Sequence, residues 1–94
     1  MATDDGLILR EGARMEKDIS IGIHVSEDET STTVRAVLDL RGDHFEAVGS
    51  ARRNPLDPPA PAIGEELAIA RALGTLQIDV MEAAQAKIEQ MPRV

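Results

Sequence analysis

Hydrophobic and polar positions along this 94-residue chain fall into three regimes. Residues 1–14 show no clear period, with Leu7, Ile8 and Leu9 forming a short apolar run between charges. They read as a flexible or weakly structured N-terminal segment. From residue 15 the period is two. Ile19, Ile21, Ile23 and Val25 alternate with Asp18, Ser20, Gly22, His24 and Ser26, the mark of a half-buried strand over about 16–26. Glu27-Asp28-Glu29-Thr30 makes a charged turn. Val34, Ala36, Leu38 and Leu40 then point inward from a second strand over about 32–41, with Val37 on the outer face. Arg41-Gly42-Asp43-His44 is the next turn, where Gly42 can take positive φ. A third strand spans about 45–53, and its Ala47, Gly49 and Ala51 would let a helix lie close to the sheet. Short connections between the three strands imply an antiparallel meander.

Prolines at 55, 58, 59 and 61 mark 54–62 as a linker, since proline fixes φ and lacks an amide donor. Beyond it the period becomes 3.6. Ile63, Leu67, Ala70, Leu73, Leu76, Val80, Ala84, Ile88 and Met91 step by three or four, which predicts a helix over about 63–91. Glu65 and Glu66 would suit its first turn, and Pro92 would end it. Gly74 is the weak point, where one continuous helix and a kinked one are both open readings. The expected architecture is α+β, a three-stranded antiparallel meander followed by one long C-terminal helix, in a single domain over 15–94. Some 28 helical residues span ~42 Å, against ~27 Å for a strand of about eight. One helix end should overhang the sheet and leave Val80, Met81, Ile88 and Met91 partly exposed, the apolar stripe of a homodimer interface.

Composition narrows the function. Phe45 is the lone aromatic residue, so the platforms that stack single-stranded nucleic acid are absent. The net charge is −7, with most of the deficit in residues 1–30, which hold eight acids and three bases. Such a balance repels phosphate backbones. The chain has no cysteine, no apolar run of membrane-spanning length and an acidic opening unlike a signal peptide. It is expected to work in the cytoplasm and to need no cofactor.

The chemistry-bearing residues are few. His24 falls on a polar strand face and His44 in a turn, without metal-ligand or triad spacing. Arg41-Gly42-Asp43 matches an adhesion tripeptide, but a hairpin turn explains it. Arg52, Arg53 and Asn54 end the third strand and could hold an anion or partner, together with Arg35 and Arg41 if the fold gathers them. The glycines are scattered singly, so no phosphate loop exists, and no carboxylate pair has an apolar pocket. The chain is read as non-enzymatic.

The stretch from Val48-Gly49-Ser50-Ala51-Arg52-Arg53-Asn54-Pro55-Leu56-Asp57 to Pro61-Ala62-Ile63-Gly64-Glu65-Glu66-Leu67-Ala68-Ile69-Ala70-Arg71-Ala72-Leu73 resembles a family of small actinobacterial proteins of unknown function. The resemblance runs from about Lys17 to Glu89. It implies a β-β-β-α core like that of double-stranded-RNA-binding domains, and a dimer. Some mycobacterial members are associated with dormancy, and one has been likened to ribosome hibernation factors. The implied role is a stress-time factor on the ribosome; the alternative is a protein-binding adaptor without a nucleic-acid role. No catalytic residue carries over. Direct binding of double-stranded RNA is not expected, because Glu65 and Glu66 stand where such binders place basic residues.

Overall fold

The computed structural model describes residues 13–92. Its order is β1 (Gly22–Glu27), β2 (Ser31–Leu40), β3 (Asp43–Arg52) and α1 (Pro61–Glu89). The sheet has the order β1-β2-β3 and both pairings are antiparallel, so the expected meander and single long helix form.

Each connection has a local cause. In the β1–β2 turn one carboxylate oxygen of Asp28 accepts from the amides of Thr30 and Ser31, both at 2.8 Å. These bonds hold the Asp28 carboxyl below its usual range. Arg41 and Gly42 join β2 to β3 with φ of 53° and 86°. Two left-handed residues in a two-residue hairpin make a type I′ turn, which accounts for the tripeptide by geometry.

Helix α1 runs unbroken through Gly74 but is placed differently at both ends. It opens at Pro61, two residues before the expected start, because a fixed φ and a missing amide suit the first helical position. Glu65 and Glu66 consequently lie past the first turn, which holds no acid. The helix stops at Glu89, short of Met91, with Gln90 as its C-cap.

The core is a strip of small residues between helix and sheet. Val34, Ala36 and Leu38 of β2, Ala47 and Ala51 of β3, and Ala68, Ala72 and Leu76 of α1 are buried. Gly49 is the closest point. A Cβ there would collide with the backbone nitrogen of Ala72 and the carbonyl oxygen of Ala68, and would sit 2.9 Å from the carbonyl carbon of Arg71. The Arg71 guanidinium donates to the Ser50 carbonyl at 2.8 Å. Near the other end Lys87 Nζ meets Asp43 Oδ2 at 2.6 Å. The helix is thus held against β2 and β3.

Strand β1 departs from expectation. It begins at Gly22 rather than near residue 16. The inward residues leading into it and at its start are not core: Ile19, Ile21 and Ile23 are 51%, 44% and 40% exposed, while Val25 packs partly buried against the core. The cause is width. A helix about 10 Å across covers about two strands spaced ~4.8 Å apart, and this helix sits over β2 and β3.

Gly49→Ala should lower unfolding stability by about 3 kcal/mol in urea denaturation, because the methyl meets helix backbone that cannot yield. Gly74→Ala, where an added Cβ meets nothing within 4 Å, should raise it by about 1 kcal/mol. A loss at Gly49 no larger than about 0.5 kcal/mol, the scale of a neutral surface change, would contradict the packing.

Candidate interaction site

The five residues proposed to hold an anion do not converge. Arg52, Arg53 and Asn54 lie together at the sheet end nearest the start of α1, beside a cavity of about 610 Å³. Two of the three act structurally. Arg53 donates to the carbonyls of Glu29 at 3.2 Å and Asp57 at 2.7 Å, pinning the linker to the first turn. Asn54 Oδ1 accepts from the Leu56 amide at 3.0 Å and its carbonyl from the Asp57 amide at 2.9 Å. Arg52 is exposed, and Glu27, Asp28, Glu29 and Asp57 share the cavity wall with it. Arg41 occupies the hairpin tip at the opposite end of the sheet. Arg35 lies between the two ends, bound to Glu46 at 3.2 Å.

That ion pair belongs to a chain of charges on the sheet face away from the helix. His44 Nδ1 is 2.6 Å from Asp39 Oδ1, and its Nε2 is 3.0 Å from Glu46 Oε1. The two carboxylates engage opposite ring nitrogens, so the three groups do not share one metal-binding centre. Their hydrogen bonds, to Glu46 first and Asp39 second, raise the His44 pKa. The same bond from His44, followed by that from Arg35, lowers Glu46. The network ties β2 to β3 near their hairpin. His24 faces Arg35 across β1 and β2 on the same side.

The helix-bearing face is different in kind. Ile21 just before β1, Leu38 of β2, and Leu73, Leu76, Gln77, Val80, Met81 and Ala84 of α1 border a groove of about 370 Å³. Apolar surface continues beyond it. Ile19 before β1 and Ile23 within it flank the groove, and Ile88 (53% exposed) on the helix tail and Met91 (62%) just past it follow Met81 (52%). Of the four interface residues expected from sequence, Met81, Ile88 and Met91 are exposed, whereas Val80 is partly buried against the core. Ile19, Ile21 and Ile23, expected on the buried face of a half-buried strand, lie at the surface instead. The signal was available: one helix cannot cover three strands.

A family model described as Rv2632c-like matches residues 17–93. The chain belongs to the Rv2632c-like family. It is 37% identical over 73 residues to the uncharacterised protein Rv2632c of Mycobacterium tuberculosis H37Rv, covering 78% of each chain. To the uncharacterised protein Mb1767 of Mycobacterium bovis it is 37% identical over 70 residues, 74% of each chain. The crystal structure of Rv2632c superposes with a TM-score of 0.78 at 33% identity, covering 86% of this chain and 100% of that one. The family and the α+β fold are therefore established together, on relatives without a described activity. Among the described residues, no helix is long and apolar enough to cross a membrane.

The His44 network gives a pH signature. A pKa raised by folding contributes stability that is fully present below the unfolded value of about 6.5 and lost as pH rises through the folded one. The urea midpoint should therefore fall as pH rises above about 6.5, and His44→Gln should remove most of that fall. An unchanged slope in the variant would show that the network is uncoupled from stability.

Proposed function

We propose that this protein is a non-catalytic homodimer that acts by protein contact. The observation that carries the reading is the continuous apolar surface of β1 and the α1 flank, including Ile21, Ile23, Leu73, Met81 and Ile88. Exposed apolar patches of this kind mark interaction sites. The charged groups support it from the other side. Those on the open sheet face are engaged with one another, and the Arg52 cavity is rimmed by carboxylates, so neither forms a pocket with poised acid, base or nucleophile.

Within the cell the reading is a dimeric stress- or dormancy-associated factor. Its partner assembly is the ribosome, in the manner of a hibernation factor, or a protein bound by an adaptor. The separation of Arg35, Arg41 and Arg52 favours contact with protein over contact with rRNA phosphates, which needs clustered positive charge. On the ribosome, the contact would then be to ribosomal protein and would weaken little with salt.

Sedimentation tests both parts. Purified protein should run as roughly twice the 10.1 kDa chain mass. Met81→Glu, at an exposed position, should weaken that dimer at least about tenfold, a loss of about 1.4 kcal/mol. In gradients of stationary-phase lysate, comigration with ribosomes that survives moderate salt supports the ribosomal role. A position at the top as a dimer leaves the adaptor role, and a monomer throughout refutes the proposal.

A further inference from the structure

The dimer proposed above leaves open how two copies meet, and the inference here rests on that reading. The β1–β2 ladder sets the direction of each β1 backbone group. The Asp28 amide donates to the Ser31 carbonyl at 2.9 Å, and hydrogen-bonded pairs alternate along an antiparallel ladder. Ser26, His24 and Gly22 therefore bond to β2. The backbone groups of Glu27, Val25 and Ile23 point the other way, to an edge with no strand beside it among the described residues. The same three residues carry their side chains on the helix-bearing face.

The β3 edge is not equivalent. The Arg53 amide donates to the Thr30 carbonyl at 2.8 Å, which by the same alternation turns the Ser50 carbonyl outward. Arg71 already occupies it at 2.8 Å. Of the two sheet edges, β1 is the one without such a cover among the described residues.

A second observation concerns the residues before β1. Lys17, Ile19 and Ile21 continue the alternation of Ile23, Val25 and Glu27, yet the ladder starts only at Gly22. The strand pattern covers residues 17–27 and the pairing covers 22–27. The first half of the pattern has no partner strand among the described residues.

We propose that a second copy of this chain supplies it. The two β1 segments pair antiparallel about a two-fold axis at Gly22 and join two three-stranded sheets into one of six. The side chains select this register. With Gly22 opposite Gly22, Ile21 faces Ile23, Ile19 faces Val25 and Lys17 faces Glu27. Every outward-pointing backbone group of β1 then meets its counterpart. An axis at Ile21 would set Lys17 against Val25, and one at Ile23 would set Ile19 against Glu27. A shift by one position would mix the apolar and polar faces. The paired segment ends where Glu16 would meet Asp28, a like-charged pair. Isologous pairing of this kind is the closed symmetry of most dimers, and it brings the isoleucines of both copies together beside Leu73 and Met81.

The chain has no cysteine, so one introduced thiol reports alone. A Cβ at Gly22 would meet just the Val37 carbonyl oxygen, at 3.9 Å, so cysteine fits there. Opposed non-hydrogen-bonded residues place their Cα atoms ~4.5 Å apart, within the range a disulfide spans. Under mild oxidation Gly22→Cys should become mostly a covalent dimer on a non-reducing gel, while His24→Cys and Ser50→Cys remain mostly monomeric. Cross-linking at His24 or Ser50 equal to that at Gly22 would overturn the register and the edge. If the wild type sediments as a dimer and Gly22→Cys does not cross-link, edge pairing fails while the dimer stands. If the wild type is a monomer, both fail.

Discussion

The close approach of α1 to Gly49 is the contact on which the rest of the structure depends. Where a side chain would stand on β3, the backbone of α1 at Ala68 and Ala72 lies instead. The buried neighbours are correspondingly small: Ala36, Ala47 and Ala51 on the sheet, Ala68 and Ala72 on the helix. Each alanine buries little apolar area, so cohesion comes from many short dispersion contacts along the seam rather than from a few large side chains. A core with a single aromatic residue in the chain is workable for this reason. The Arg71–Ser50 hydrogen bond and the Lys87–Asp43 ion pair fix the helix along its axis at two points.

Tight seating has a consequence for function. A helix that rests on β2 and β3 leaves the inward side at and before the start of β1 without cover among the described residues. The isoleucines there retain strand patterning but lie at the surface beside Leu73 and Met81. Polar interactions are concentrated elsewhere, on the open sheet face from Arg35 to Asp39 and at the linker through Arg53 and Asn54. Among the described residues, the molecule therefore has a charged face closed on itself and an apolar face without a cover. This division favours contact with protein, and the net charge of −7 acts in the same direction by disfavouring phosphate surfaces.

Much of this was legible in the sequence. The period of two gave β2 and β3 to within two residues, and the small residues at 47, 49 and 51 announced the close helix. The positive φ at Gly42 followed from its place in a tight hairpin. The apolar stripe from Ile63 to Met91 was found, but only part of it meets the sheet: Leu76 is buried and Val80 packs against the core. Ala68 and Ala72 touch the sheet, whereas Leu67, Leu73 and Ile88 do not join the core. Periodicity marks an apolar side of a helix without saying which part of it meets the sheet. Likewise, alternation cannot distinguish a strand face covered by the helix from one left at the surface, so Ile19, Ile21 and Ile23 read as the buried face of a half-buried strand. The dispersal of Arg35, Arg41 and Arg52 depends on ladder register and could not be read from spacing along the chain.

Amide hydrogen exchange measured over a range of protein concentration tests the central claim most directly, because it reads the β1 edge residue by residue. The account predicts that the amides of Ile21, Ile23 and Val25 exchange rapidly in dilute solution and become protected as concentration rises. Those of Ala47, Gly49 and Ala51 in β3, which bond to β2, and of α1 near Ala72 should stay protected throughout. Concentration-independent exchange along residues 17–27, with the rest of the sheet protected as expected, would contradict it and return β1 to the role of an ordinary solvent-exposed edge.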